Sequence, residues 1–119
     1  MPSGVIAIAK APSPTMQRRV IRVSERFVAP MMEFRVKEIM DKVERQIRGV
    51  SGLQRIETLV DRGDPNRHVV ITEWDSRAHL EAWLSSDLCR DTVAKLEKVL
   101  DRDVSYREFV HHEDDVFGV

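Results

Sequence analysis

A two-residue alternation of side-chain character runs through the segment 20–27 and predicts a first β-strand. One side of this strand carries Ile21, Val23 and Phe27, with Glu25 among them. The other side carries Val20, Arg22, Ser24 and Arg26. Segments 53–61, 68–74 and 104–111 predict three more strands, of which 68–74 is the richest in β-branched residues. The turn-forming cluster at 63–66 lies between the second and third strands and predicts a hairpin.

Steps of three and four residues between apolar positions indicate helices in the two remaining regions. The first helix follows Pro30 and carries a stripe made of Met32, Val36, Ile39, Met40, Val43 and Ile47. A second helix carries Leu80, Trp83 and Leu84, and 85–87 interrupts it. A further helical segment then presents Cys89, Val93, Leu96 and Leu100 on one face.

The predicted order is therefore β-α-β-β-α-β, which is the ferredoxin-like α+β arrangement with an antiparallel sheet. Its helices cover one face of the sheet, so the other face needs a different cover. In a chain of 119 residues we expect a second copy to supply it, through a symmetric homodimer. We assign 1–17 to a flexible arm, 18–111 to the domain and 112–119 to an acidic tail.

Composition excludes several classes of protein. The net charge of −1 lacks the basic excess typical of nucleic-acid binders. No apolar run approaches the roughly 18 residues that span a bilayer, so we expect no membrane partner. The single cysteine forms no internal disulfide, and we expect a cytoplasmic protein. The sequence also lacks the usual motifs of phosphate-binding loops, zinc sites and serine nucleophiles.

Three stretches together resemble the antibiotic biosynthesis monooxygenase (ABM) domain. The first is 20–27 with Pro30 and Phe34, and the second is 50–53. The third is 71–76 followed by 80–86, where a strand that ends in Trp-x-Ser precedes a helix with a second tryptophan. The resemblance extends over about 18–110. It implies a dimeric α/β barrel, with a pocket between the helices and the sheet of each subunit.

The activities of the family are diverse. Some members oxidise quinols or polycyclic aromatic polyketides with O2 and without a cofactor, and others cleave heme with an Asn, a Trp and an iron-ligating His. The matching positions here hold Glu25, Trp83 and Val93. Valine cannot ligate iron, so the resemblance favours a protein without heme, and we expect no cofactor.

Glu25 and His68 are the candidate acid–base residues. A carboxylate that enters an apolar pocket has a raised pKa and can accept a proton from a phenol or quinol. The structural alternative for Glu25 is an ion pair with an arginine at a strand end. Histidine is the usual acid–base residue near neutral pH, but His68 begins a strand, where solvent exposure is the alternative.

Four aromatic residues are candidates for the substrate pocket. The family resemblance places Trp83 at the pocket, and Phe27 would form part of its apolar wall. Tyr106 could donate a hydrogen bond to a bound oxygen atom. Trp74 could contact substrate or anchor the core at the strand end. We expect no metal site, because His111 and His112 are adjacent on a strand and face opposite ways.

The resemblance implies a cofactor-independent monooxygenase that acts on a small electron-rich aromatic molecule with O2. In that mechanism a base removes a phenolic proton, and the resulting anion reduces O2 inside a pocket that excludes water. The alternative is a dimeric ligand-binding or structural module that keeps the fold without the reaction.

Overall fold

Four strands and three helices form between residues 18 and 112, the part of the chain that the computed structural model describes. Their bounds are β1 Val20–Phe27, α1 Glu33–Ile47, β2 Leu53–Asp61, β3 Asp64–Trp74, α2 Arg77–Leu84, α3 Asp87–Glu97 and β4 Ser105–Val110. The expected arm 1–17 and the segment 113–119 of the expected tail lie outside the described residues. None of the described helices has the length and apolar character needed to cross a bilayer.

The four strands form one sheet in the order β2-β3-β1-β4. All three neighbouring pairs are antiparallel. This order places the first and third strands at the centre, which is the ferredoxin-like arrangement. The predicted α+β fold is therefore confirmed.

The hairpin between β2 and β3 is tighter than the sequence indicates. We predicted that the third strand begins at His68, whereas β3 begins at Asp64. The Asp61 Oδ1 atom accepts a hydrogen bond of 2.7 Å from the Gly63 backbone and closes a short turn. Pro65 fits inside the strand because β1 pairs with β3 only from Arg67 onward, so the proline removes no hydrogen bond to β1.

Helix α1 buries the predicted stripe at Val36, Ile39, Met40, Val43 and Ile47. Met32 is the exception, because it is the N-cap residue of the helix and stays 38% exposed. Lys37 donates to Asp41 over 2.9 Å on the opposite, solvent-facing side. The helix is thus held by its apolar face rather than by a side-chain cap, as is common for helices in globular domains.

The predicted break between the second and third helices lies at Ser86. Its side chain accepts a hydrogen bond of 3.2 Å from the Cys89 backbone and caps α3. Cys89 and Leu96 are the buried residues of this helix, whereas Val93 is 37% exposed. Leu100, which we placed on the same helical face, instead follows the helix end and forms a β-bridge with Val28.

The two faces of the sheet have different neighbours. Val20, Ser24 and Val28 are buried on one side, where the helices pack. Arg22 and Arg26 alternate with them and therefore point toward the helices as well. The opposite face is open in the single chain. Its apolar side chains, none of which is fully buried, are Ile21, Val23, Phe27, Leu59, Val69, Ile71 and Phe109.

Candidate functional site

A cavity of about 930 Å³ lies between the helices and the sheet. Its size falls within the range of about 300–1,000 Å³ that is usual for small-molecule sites. Helix α1 contributes an apolar wall to the cavity through Met40, Val43 and Ile47. Strands β2 and β3 add Ile56, Val70 and Thr72 to the floor.

Trp83 provides an aromatic wall on the α2 side of the cavity. Its ring stacks on Trp74 with centroids 6.3 Å apart and an angle of 24° between the planes. Trp74 is completely buried, and its Nε1 atom donates a hydrogen bond of 3.0 Å to Thr72 Oγ1. Trp74 is thus fixed in the core, does not line the cavity and supports Trp83 from behind.

Helix α2 begins at a defined point, which sets the position of Trp83. Ser76 is the N-cap residue, and its Oγ accepts a hydrogen bond of 3.3 Å from the His79 backbone. The His79 ring also lies 2.6 Å from Asp75 Oδ1. Leu80, fully buried one turn before Trp83, packs in the same cluster as Trp74.

Strand β1 supplies the polar groups on the sheet side of the cavity. Arg22, Ser24 and Arg26 are every second residue of this strand and all line the cavity. Tyr106 lines it from β4, where it pairs with Ser24 across the strands and lies under the Arg22 guanidinium at 4.1 Å from the ring centroid. The cavity therefore combines an aromatic and apolar wall with a cationic sheet side.

Cys89 lines the cavity from the first turn of α3. Burial raises the pKa of its thiol, although Arg22 and Arg26 act in the opposite direction. The thiol is therefore protonated near neutral pH and acts as a small apolar group, as the sequence predicts.

Charged residues of the opposite sign lie at the mouth of the cavity. Glu97, Asp101 and Asp103 are exposed and belong to its lining. They are placed by α3 and by the segment that follows it, where the Asp101 backbone donates a 2.6 Å hydrogen bond to the Phe27 carbonyl oxygen. The enclosed part of the cavity thus contains arginines, whereas its carboxylates contact solvent.

Glu25 lies on the open face of the sheet and does not line this cavity. It pairs with Arg67, whose Nε donates a hydrogen bond of 2.7 Å to Glu25 Oε2. Arg67 also donates to Asp61 Oδ2 over 2.9 Å. The structure therefore places Glu25 in an ion pair, the structural alternative of the sequence analysis.

Phe27 and His68 also lie outside the cavity lining. Phe27 shares the open face with Glu25, and the Arg102 guanidinium lies 4.0 Å from the centroid of its ring. The His68 Nε2 atom is 3.1 Å from the Pro65 carbonyl oxygen near the hairpin. Of the predicted site residues, the structure thus brings only Trp83 and Tyr106 together at one cavity, with Trp74 behind them.

The donor set of the described residues does not fit a metal or a heme. Between residues 18 and 112 no three His, Cys, Asp or Glu side chains converge as metal ligands. Val93 lines the cavity at the position that the family resemblance matches to the iron ligand. Its side chain has no donor atom and cannot ligate a heme iron.

The arrangement defines a class of protein, namely α+β domains with a four-stranded antiparallel sheet and a ligand-sized cavity beneath the helices. The family model described as antibiotic biosynthesis monooxygenase matches residues 20–95, well over half of the chain. The chain therefore belongs to the antibiotic biosynthesis monooxygenase family. No curated protein matches it in sequence.

Solved structures share this fold at low sequence identity. A candidate antibiotic biosynthesis monooxygenase from Caulobacter crescentus CB15 is 10% identical with a TM-score of 0.77, covering 82% of this chain and 92% of its own. A candidate antibiotic biosynthesis monooxygenase from Nitrosomonas europaea is 14% identical with a TM-score of 0.76, covering 81% and 92%. A conserved protein from Methanosarcina mazei Go1 is 14% identical with a TM-score of 0.74, covering 80% and 94%.

Sequence reasoning missed Arg22, Ser24, Arg26 and Cys89 as cavity residues. The alternation in β1 was available, but it favoured the more apolar side as the pocket side. Val28 is the signal that could have identified the helix-facing side of β1. Counted in steps of two from Val20, it lies on the side that carries Arg22 and Arg26, and it is buried beneath the helices.

Proposed function

We propose that the protein is a cofactor-independent monooxygenase that oxidises a small electron-rich aromatic molecule with O2. The observation that carries this proposal is the helix–sheet cavity with Trp83 on one wall and Tyr106 and two arginines on the sheet side. The apolar and aromatic wall of the cavity would shield one side of a reactive anion from water. The proposal adds that the protein acts in the cytoplasm as a homodimer.

The reaction needs no metal when the substrate itself supplies the electrons. In an anthrone, the ring methylene between two aromatic rings loses a proton and the resulting anion reduces O2. One oxygen atom enters the ring as a carbonyl, and the other leaves as water with the two hydrogens of the methylene. In a quinol, the anion forms by loss of a phenolic proton; one oxygen atom then enters as a ring hydroxyl of the quinone product, and the other leaves as water. Solvent or the carboxylates at the mouth accept the proton, because Glu25 and His68 lie outside the cavity.

Oxygen uptake tests the proposal. The wild type is given anthrone and 1,4-naphthohydroquinone, with the rate in the absence of protein subtracted because such compounds react with O2 unaided. Trp83→Ala should lower kcat/KM by about two- to tenfold, since an aromatic contact contributes about 0.5–1.5 kcal/mol. The matched control is Lys42→Ala, an exposed position of α1 outside the cavity lining, which should keep the wild-type rate. No uptake above background by the wild type would refute the proposal.

A non-catalytic binding module is the second candidate, and one observation favours it. The lining carboxylates Glu97, Asp101 and Asp103 are all exposed at the mouth, so the enclosed part of the cavity lacks a carboxylate base. Binding of these aromatic molecules without oxygen uptake would establish this alternative.

The open face of the sheet supports the homodimer. Val23 lies near the centre of this face, opposite Ile71 on β3 and next to Ile21 on β1, with Arg107 opposite it on β4. An uncovered apolar sheet face is a liability that a symmetric partner removes. Val23→Asp should convert a dimer of about twice 13.8 kDa to a monomer in sedimentation, while Lys42→Ala stays dimeric. A wild type that sediments as a monomer at micromolar concentration would refute the dimer.

A further inference from the structure

The two arginines on the sheet side of the cavity have different partners. The Arg22 Nη1 atom donates a hydrogen bond of 2.8 Å to Glu108 Oε2. Arg77 contacts the other oxygen of the same carboxylate. The charge of Arg22 is thus satisfied by an ion pair and by the Tyr106 ring on which it lies.

Arg26 has no such partner. Its Nη1 atom donates only to the Met40 sulfur, at 3.2 Å, and thioether sulfur is a weak acceptor. Its Nε atom is enclosed and has no hydrogen-bond acceptor. No carboxylate of residues 18–112 forms an ion pair with it, although four other arginines of the sheet and its flanking helix do have such partners.

The surroundings of the Arg26 guanidinium contain no negative charge among the described residues. The guanidinium is almost completely buried, although the residue as a whole keeps some exposed surface. Burial lowers the pKa of this group, since the charged form loses its hydration, and the neighbouring titratable groups are Tyr106, Cys89 and Arg22. The cavity therefore contains a cation whose charge nothing in the described chain neutralises.

A buried charge without a counter-ion is costly, and proteins normally pair such groups. A second copy that covers the open face cannot supply the counter-ion, because Arg26 points to the helix side of the sheet. A ligand that enters the cavity can supply it. The guanidinium fork matches a carboxylate with two parallel hydrogen bonds, which is the most favourable geometry for this pair.

We propose that the cavity binds an aromatic carboxylate, with the carboxylate at Arg26 and the aromatic ring along Trp83. This inference rests on the proposed function in that it assigns a substrate class to the same cavity. A carboxylate is favoured over a phenol because carboxylic acids with a pKa of about 4 are ionised at neutral pH, whereas phenols with a pKa of about 10 are not. An arginine guanidinium is positively charged at neutral pH, so the ligand that matches it best is one that is also ionised at neutral pH.

Isothermal titration calorimetry with 2-naphthoate and 2-naphthamide tests the proposal. The two probes share one ring system and differ in charge. The wild type should bind the naphthoate at least about tenfold more tightly than the amide, because hydrogen bonds between two charged groups are roughly twice as strong as those between neutral groups. Arg26→Met should remove this preference and leave the amide affinity unchanged. Arg26→Lys should restore part of the preference, because it returns the charge without the fork.

The matched control is Arg55→Met, which removes another arginine of the sheet from the open face, outside the cavity lining. It should keep the preference for the naphthoate, because Arg55 pairs with Glu73 and does not reach the cavity. Thermal melts of all variants establish that each is folded. Equal binding of the two probes by the wild type, no binding of the naphthoate at millimolar concentration, or an unchanged preference in folded Arg26→Met would overturn the proposal. Naphthoate binding together with no oxygen uptake on anthrone or 1,4-naphthohydroquinone would refute the monooxygenase and leave the carboxylate site standing.

Discussion

Replacement of Arg26 by methionine should make the protein more stable, contrary to the usual effect of changing a partly buried residue. The wild-type side chain holds an enclosed Nε–H without an acceptor and a charge without a carboxylate. Methionine is unbranched, fills a similar channel and carries neither the charge nor the donor. The substitution therefore removes an unsatisfied group while it retains the apolar contacts of the stem.

The magnitude follows from the groups that are removed. An unsatisfied buried donor costs about 1–3 kcal/mol, and removing it should raise the free energy of unfolding by a similar amount. In a domain of about 60–100 residues each 1 kcal/mol shifts Tm by about 4–8 °C. Urea unfolding followed by tryptophan fluorescence gives the free energy directly. Both proteins must be measured at one concentration, because dimerisation makes stability depend on it.

Arg22→Met serves as the internal control for this prediction. It removes a 2.8 Å ion pair with Glu108 and a contact with the Tyr106 ring, so it should lower the free energy of unfolding by about 1–2 kcal/mol. Opposite signs for the two variants are the expected result. A loss of stability in Arg26→Met equal to that in Arg22→Met would show that Arg26 has a structural role and would refute the reasoning.

Three further predictions concern positions around the cavity and the sheet. Gly52→Ala should lower the free energy of unfolding by more than about 1 kcal/mol, because Gly52 has a φ of 89° and an added Cβ would overlap His79. A free energy of unfolding in urea equal to that of the wild type would contradict this prediction. Hydrogen bonds from the Gly63 backbone and Arg67 lower the pKa of Asp61, so the ionised side chain stabilises the fold. The wild type should therefore have a higher free energy of unfolding than Asp61→Asn at pH 6, and this difference should be lost as the pH falls below about 4. Equal free energies of unfolding at pH 6 would count against this prediction. Burial raises the pKa of Cys89, so iodoacetamide should alkylate this thiol at pH 7 more slowly in the folded protein than in the denatured protein. Bound 2-naphthoate should slow the alkylation further. Equal alkylation rates in the folded and denatured protein would refute this prediction.

The sequence predicts the strand and helix order because each element carries its own periodicity. The stripe on α1 and the alternation on β1 are local patterns, and both are present in the structure. The start of β3 could not be predicted in this way. It depends on the hydrogen bond from Gly63 to Asp61, which lets Asp64 and Pro65 join the strand.

Which face of β1 meets the helices could not be derived from the strand alone. Ile21, Val23 and Phe27 form the more apolar side, and such a side normally faces the core. In this protein that side is the open sheet face, whereas Arg22 and Arg26 lie beneath the helices. Both faces of β1 mix apolar and charged side chains, since Glu25 lies on the open face while Val20 and Val28 are buried beneath the helices, so hydrophobicity does not distinguish the two faces.

The position of Trp83 relative to Trp74 is a tertiary property. The sequence shows only that nine residues separate them, and the family resemblance alone placed Trp83 at a pocket. The stack between the rings arises because the Ser76 cap starts α2 directly after β3 and turns the helix back over the sheet. Neither spacing nor composition encodes that contact.

A crystal structure of the protein with bound 2-naphthoate would test most directly whether the helix–sheet cavity is the functional site. We expect the naphthalene ring against Trp83 and the carboxylate within hydrogen-bonding distance of the Arg26 guanidinium. A naphthoate bound on the open sheet face, or one whose carboxylate lies away from Arg26, would contradict the assignment of the site.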